Sequence, residues 1–119
     1  MNDKESLIYD LSIVKEASED IEYLKEITGY FINNSEEMIR ALDIAFNASD
    51  LETAQNIAHK LSSNFYMFGL KEGAEALSKI ELNLLNNEKY NELPDLILIA
   101  KIQGEKAIIQ LKRDFHNQH

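Results

Sequence analysis

Apolar residues recur three and four positions apart along most of the chain, which is the spacing of amphipathic α-helices. The spacing predicts one long helix from about Glu19 to Asn47, in which Ser35 completes the apolar row. The other members of that row are Leu24, Ile27, Phe31, Met38, Leu42 and Ala45. A short helix over Asp10 to Ala17, with Leu11 and Val14 three positions apart, is predicted to precede it.

Three more helices are predicted after the long one. The first begins at Ser49 and Glu52, which fit a capping box, and ends at Gly69, a residue favoured at left-handed helix ends. Its inward residues are Ala54, Ala58, Leu61, Phe65 and Phe68. The next runs from about Leu70 to Asn86, with inward residues Leu70, Ala74, Leu77, Ile80 and Leu84. The last starts at Pro94, with inward residues Leu96, Ile99, Ile102, Ile109 and Phe115.

Four long amphipathic helices joined by short loops predict an all-α fold, an antiparallel four-helix bundle with a short additional N-terminal helix. No linker or repeat divides the chain, so residues 1–119 are expected to form a single domain with an ordered core of about 8–115. Gly104, inside the last helix, costs about 1 kcal/mol relative to Ala; it either marks close packing at that position or has no structural role.

Composition narrows the range of functions. The 119 residues carry a formal charge of −9, which disfavours binding to nucleic acid and to anionic membrane surfaces. The absence of Cys removes disulfides, thiolate metal sites and a Cys nucleophile. The apolar runs are too short to cross a bilayer, and Met1 to Glu5 lacks the form of a signal peptide. We therefore expect a cytoplasmic protein.

One histidine faces away from the predicted core. Helical geometry places His59 about 140° from the centre of its helix's inward row, among small and polar neighbours. It is either an ordinary surface residue or, since a neutral imidazole has a free lone pair, a nucleophile toward phosphoryl groups. His116 and His119 lie in the terminal tail and are expected to be solvated, and no metal site is expected. The sequence fits no catalytic triad, phosphate loop or di-iron pattern.

The residues around His59 carry a family resemblance. Ala58, His59, Leu61 and Gly69 have the identities and spacing of the signature Ala-His-x-Leu-Lys-Gly, five residues, Gly. The chain thus resembles the histidine phosphotransfer (HPt) domains of two-component phosphorelays over nearly its whole length. The resemblance implies that His59 accepts a phosphoryl group on Nε2 from a receiver-domain aspartate and passes it to another.

The resemblance also implies a carrier rather than an enzyme. Such a domain has no ATP site and no cofactor of its own, and Mg²⁺ belongs to the acidic pocket of the receiver. The implied partners are response-regulator receiver domains and a hybrid sensor kinase, and the chain is expected to be a monomer.

Two positions depart from the family pattern, and a third is of interest. The signature Lys is Ser62 here, so Lys60, about 100° round the helix, is the remaining candidate for offsetting the phosphoryl charge. The signature Gly is Ser63. In some members a Gln on the next helix orients the imidazole, and its counterpart is Glu81. Glu81 either bonds to Nδ1 of His59 or leans along a seam into solvent.

A receiver is expected to dock beside the histidine. The docking candidates are Gln55, Asn56, Ser63, Tyr66, Leu11 and Ile13, although Tyr66 is equally compatible with packing at the edge of the bundle. The main hypothesis is therefore a phosphoryl carrier. One alternative is an HPt-like bundle that binds a receiver or kinase as an adaptor without transfer. Another is a purely structural helical adaptor in which His59 is incidental.

Overall fold

The computed structural model describes residues 6–116, which form a bundle of α-helices. They are α1 (Ile21–Asn47), α2 (Leu51–Met67), α3 (Lys71–Leu85) and α4 (Leu93–Leu111). The described part of the chain contains no β-strand. The predicted N-terminal helix is reduced to one 3-10 turn, Val14–Glu16, and a π-helical segment, Lys112–His116, extends α4. The N-terminal stretch Met1 to Glu5 lies outside the described residues, and so does the tail residue His119.

Each helix packs against two neighbours, so the four are arranged in a ring. Helix α2 lies between α1 and α3, and α4 lies between α3 and α1. Consequently α2 and α4 occupy diagonal positions, with their outer faces on opposite sides of the bundle. No helix in the described part of the chain is long and apolar enough to cross a membrane.

The centre of the core is the fully buried ring of Phe65 on α2. Two glycines let neighbouring helices approach it. A Cβ at Gly73 on α3 would lie 2.7 Å from the Phe65 ring, and one at Gly104 on α4 would lie 2.8 Å from it. Gly104 would also place that Cβ 2.9 Å from Ile39 on α1. Gly104 is therefore the residue at which α4 packs closely against both α2 and α1.

The two ends of α2 confirm one sequence prediction and correct another. Gly69 ends α2 in the left-handed region, with φ of +73°. The predicted capping box is displaced by one residue, because Asp50, not Ser49, accepts a hydrogen bond from the Thr53 amide at 3.3 Å. Ser49 itself adopts a positive φ of 59° in the turn.

The inward face of α4 differs from the prediction. Ile99, Ile102 and Ile109 are 44%, 53% and 66% exposed, and Leu96 and Phe115 are only half-buried. The buried residues of α4 are instead Leu93, Ile97, Ala100, Gln103, Gly104, Ala107, Ile108, Gln110 and Leu111. The reason is steric: the bulky Phe65 ring requires small residues opposite it, and only this row supplies them.

Both ends of the described chain pack onto the bundle. The Asp10 amide donates to the Phe68 carbonyl at 2.9 Å, and the Gln110 side chain accepts from the Ile8 amide at 2.8 Å. His116, predicted to be solvated, is half-buried with Nε2 3.0 Å from Thr28 Oγ1 on α1. The π-helical turn carries His116 back toward α1, which the sequence pattern alone did not indicate.

We expect Gly104→Ala to destabilise the bundle. The added methyl lies within van der Waals overlap of Phe65 and Ile39, and overpacking of this kind costs about 1–3 kcal/mol. The gain in helix propensity offsets about 1 kcal/mol of this cost, so a net loss of up to about 2 kcal/mol in the free energy of unfolding is expected. Urea denaturation followed by circular dichroism measures it.

The control is the same substitution in a Phe65→Leu background. Leucine lacks the ring atom nearest to Gly104, so the alanine should then cost less than it does beside phenylalanine. Equal losses in both backgrounds would show that the close approach of the ring does not limit packing at this position.

Candidate functional site

His59 lies near the middle of α2 with its side chain 65% exposed. Its neighbours Ala58 and Leu61 are both completely buried. Because they hold the inward face of α2 against the core, the rotation of the helix is fixed and the imidazole is directed outward. Because most of its side chain is exposed, the ring is open to the approach of a macromolecular partner.

Glu81 on α3 contacts the imidazole of His59. Nδ1 of His59 lies 3.0 Å from Glu81 Oε2, and the Glu81 side chain is 29% exposed. The sequence left open whether Glu81 contacts Nδ1 of His59 or leans into solvent, and the structure has the contact. An ionised carboxylate only accepts hydrogen bonds, so in the neutral imidazole this contact places the proton on Nδ1 and the lone pair on Nε2. Within residues 6–116, Nε2 has no hydrogen-bond partner.

Ser62, at the position of the signature lysine, links α2 to α3. Its hydroxyl lies 3.1 Å from the Ala74 carbonyl, to which it donates, and 2.9 Å from the Ser78 hydroxyl. Ser63 extends back along α2, with its hydroxyl 3.4 Å from the carbonyl oxygen of His59. Both side chains after the histidine are therefore short, and neither supplies a positive charge.

Lys60 lies on the other flank of α2. One turn further on, Asn64 contacts Met38 of α1 at 3.9 Å, which identifies this flank as the one facing α1. Ser62 and the carboxylate of Glu81 lie on the flank facing α3. Lys60 is exposed and forms no ion pair among the described residues. Its ammonium group is therefore not placed where the signature lysine would be.

A groove between α2 and α3 adjoins the histidine. It is lined by Ser62, Ser63, Tyr66, Met67, Lys71, Ala74, Glu75 and Ser78. Tyr66 is 62% exposed and lines this groove instead of packing into the bundle. Of the remaining docking candidates on α2, Asn56 is exposed and Gln55 is half-buried.

The N-terminal candidates are divided by burial. Leu11 is only 6% exposed and belongs to the core, so its assignment to a docking surface was wrong. With Val14 it inserts under the end of the bundle, because the chain before α1 closes that end. Ile13 is 37% exposed. Asp10, nearby, accepts hydrogen bonds from the Ser12 hydroxyl and amide, which lower the pKa of its carboxyl group.

Two exposed apolar residues on α3 were not predicted from the sequence. Leu82 and Leu85 on α3 are 54% and 58% exposed. Leu85 follows Glu81 by one helical turn and therefore lies on the same side of α3. This i, i+4 spacing is the signal in the sequence that could have identified Leu85, which the inward row of α3 does not show. Together with Tyr66, Leu85 gives the surface around His59 an apolar component.

Among residues 6–116, no three His, Cys, Asp or Glu side chains are grouped to hold a metal ion. The arrangement around His59 instead consists of one oriented imidazole on an open helical face, with polar and apolar side chains on either side. Such an arrangement can offer a nucleophilic nitrogen to a group that a partner delivers.

Comparison with known proteins identifies the family. The model of the Hpt domain family matches residues 26–116, which include all four helices except the first five residues of α1. No curated protein and no solved structure matches the chain. Hpt domains are helical bundles that carry phosphoryl groups in phosphorelays and interact there with receiver domains and kinases. Because the match covers well over half of its length, the chain belongs to the Hpt domain family.

Proposed function

We propose that this protein carries a phosphoryl group on Nε2 of His59 between the aspartates of receiver domains in a two-component phosphorelay. The observation that supports the proposal is the pairing of an exposed imidazole with Glu81, 3.0 Å from Nδ1, which leaves the lone pair on Nε2. Receiver domains and hybrid sensor kinases operate in the cytoplasm, where we expect this chain to work.

The transfer is a substitution at phosphorus. The Nε2 lone pair forms a bond to the phosphorus of an aspartyl phosphate, while the bond from phosphorus to the aspartyl oxygen breaks and the carboxylate leaves. The proton on Nδ1 stays in place, hydrogen-bonded to Glu81. The positive charge that develops on the imidazole is thus offset by the glutamate. In the second transfer another aspartate attacks phosphorus, and the neutral imidazole leaves.

Most of the catalytic apparatus is supplied by the receiver. Phosphoryl transfer depends on positioning and on neutralising the charge of the phosphoryl oxygens, and the receiver's acidic pocket holds the Mg²⁺ that does this. This chain contributes the oriented nucleophile and the surface around it. We propose that Tyr66, Asn56, Ser63 and Ile13 contact the receiver, with Gln55 at the edge.

A second candidate function is an adaptor that binds a receiver or kinase without transfer. The observation that favours it is Ser62, whose hydroxyl is engaged with Ser78 and the Ala74 carbonyl where the signature has a lysine. Without that positive charge, the phosphorylated state of His59 is less stabilised. Direct measurement of label transfer separates the two functions.

Incubation with a phosphorylated receiver should transfer label to this chain. The label should be labile in acid and stable in alkali, as a phosphoramidate is, and His59→Gln should abolish it. The matched control is His119→Gln, which removes a histidine from the end of the chain and should keep the label. Tight receiver binding by the unaltered protein without any label would favour the adaptor. If the receiver neither binds the protein nor labels it, both functions are excluded.

The role of Glu81 is tested by comparing two substitutions. In Glu81→Gln the amide oxygen still accepts a hydrogen bond from Nδ1, whereas in Glu81→Ala no acceptor remains. We expect the alanine variant to accept phosphoryl groups about threefold to tenfold more slowly, corresponding to loss of one hydrogen bond of about 0.5–1.5 kcal/mol. The glutamine variant should lie between it and the unaltered protein.

Nitrogen-15 NMR of the imidazole provides a readout that general destabilisation would not change. Both the unaltered protein and Glu81→Gln should hold the proton on Nδ1, and Glu81→Ala should show a mixture of tautomers. If the alanine variant keeps a single tautomer and an unchanged rate, Glu81 does not position the ring.

Ser62→Lys should lengthen the lifetime of phosphorylated His59. Residue 62 lies one turn from the histidine on the α3 flank, so its ammonium group can reach the phosphoryl oxygens. An exposed ion pair of about 0.5–1 kcal/mol corresponds to a half-life about twofold to fivefold longer. Asn33→Lys, on the exposed face of α1, adds the same charge elsewhere and should leave the half-life unchanged.

A further inference from the structure

Two polar links join α2 to α3 side by side. In the first, Nδ1 of His59 lies 3.0 Å from Glu81 Oε2. In the second, the hydroxyl of Ser62 lies 2.9 Å from that of Ser78 and 3.1 Å from the Ala74 carbonyl. No other side-chain hydrogen bond or ion pair connects these two helices in the described part of the chain. The transfer proposed above uses the first link and gives the second no part.

The directions of the hydrogen bonds in the second link follow from the atoms involved. A carbonyl oxygen only accepts hydrogen bonds, so the single hydroxyl proton of Ser62 is donated to Ala74. Toward Ser78 the oxygen of Ser62 is then the acceptor, and the Ser78 hydroxyl is the donor. Ala74 and Ser78 are one turn apart on the same side of α3. The side chain of Ser62 is therefore held to that one turn of the neighbouring helix.

The two links are one helical turn apart. On α2, Ser62 follows His59 by three residues. On α3, Ser78 precedes Glu81 by the same number. Since the two helices are adjacent and antiparallel, these pairs form consecutive cross-links along the seam between them. The packing of the Phe65 ring against α3 lies about two turns from the imidazole, so the link between the serines is the nearer restraint.

We propose that Ser62 and Ser78 are positioning residues for phosphoryl transfer, which hold α3 so that Glu81 stays on Nδ1 of His59. This inference rests on the proposed function of His59 as the phosphoryl acceptor. The side chain of His59 is 65% exposed and that of Glu81 is 29% exposed, so water competes for the bond between them. Fixing the two helices one turn away keeps both groups within hydrogen-bond reach and leaves the lone pair on Nε2.

The departure from the family signature at residue 62 thereby has a physical role. A lysine has three donors and no acceptor, so at this position it cannot accept a hydrogen bond from Ser78. Serine supplies both the donor and the acceptor that this turn of α3 engages. The chain therefore has a cross-link where the signature has a positive charge. Loss of the lysine is compatible with transfer, because the serine helps to orient the nucleophile.

The tautomer of the His59 imidazole tests the proposal in the free protein, without any receiver. Nitrogen-15 NMR should show the proton on Nδ1 in the unaltered protein and a mixture of tautomers in Ser62→Ala and in Ser78→Ala. Ser78→Thr keeps the hydroxyl and should retain the single tautomer. The matched control is Ser18→Ala, which removes a serine hydroxyl before α1 that accepts from the Asp20 amide at 3.1 Å and should change nothing at the imidazole.

The rate of phosphoryl acceptance is the second readout. At saturating phosphorylated receiver, Ser78→Ala should accept phosphoryl groups about twofold to fivefold more slowly, with the receiver concentration for half-maximal rate unchanged. In a Glu81→Ala background, Ser78→Ala should cause no further loss, since it acts only through the glutamate. Circular dichroism should show equal helix content in all the variants, because residue 78 is exposed and alanine favours helix.

The outcomes separate this proposal from the function on which it rests. A single tautomer with the proton on Nδ1 and an unchanged rate in both alanine variants would overturn the positioning role while leaving His59 as the carrier. An additive loss in the Glu81→Ala background would also overturn it, since the serines would then act independently of the glutamate. Mixed tautomers in the alanine variants, with no label on the unaltered chain, would support the link between the serines and the imidazole and reject phosphoryl transfer.

Discussion

The packing of α2 against α3 is the constraint on which the candidate site depends. Phe65 approaches Gly73 too closely for any larger residue, and the hydroxyl of Ser62 joins the two helices beside it. This seam brings Glu81 to the nitrogen of His59 that faces α3. Neither helix contains the site alone, and a shift of one residue between them would separate the carboxylate from the imidazole.

The sequence predicted the rotation of α2 because its apolar residues occupy one face only. The outward direction of His59 follows from that single face, and Glu81 could be assigned to the neighbouring helix. On α4 the same reasoning failed, because the helix has apolar residues on two faces. The choice between them is made by Gly104, which accommodates Phe65 and Ile39, and such a contact between distant parts of the chain is invisible in the periodicity of one helix.

Smaller differences also arise from contacts that cross between segments. Leu11 looked like an exposed apolar residue beside the site, but the chain before α1 folds under the bundle and buries it. His116 looked like a tail residue, but a π-helical turn carries it to Thr28. Leu82 and Leu85 are exposed on α3 although the inward row of that helix gives no sign of them. Periodicity predicts which way a helix faces, but it does not predict which segments meet at its ends.

The turn between α2 and α3 has a consequence for how this chain can vary. Gly69 combines a φ of +73° with a position where a Cβ would lie 2.5 Å from that of Asp10. Any other amino acid there meets both backbone strain and a collision. Removing the Asp10 side chain relieves neither, because the backbone nitrogen and oxygen of Asp10 would lie 2.9 Å and 3.0 Å from the same Cβ. A compensating substitution at Asp10 alone is therefore insufficient to accommodate a replacement of Gly69. Substitution of Gly69 therefore requires changes in both the segment before α1 and the α2–α3 connection, so these two segments are constrained to evolve together.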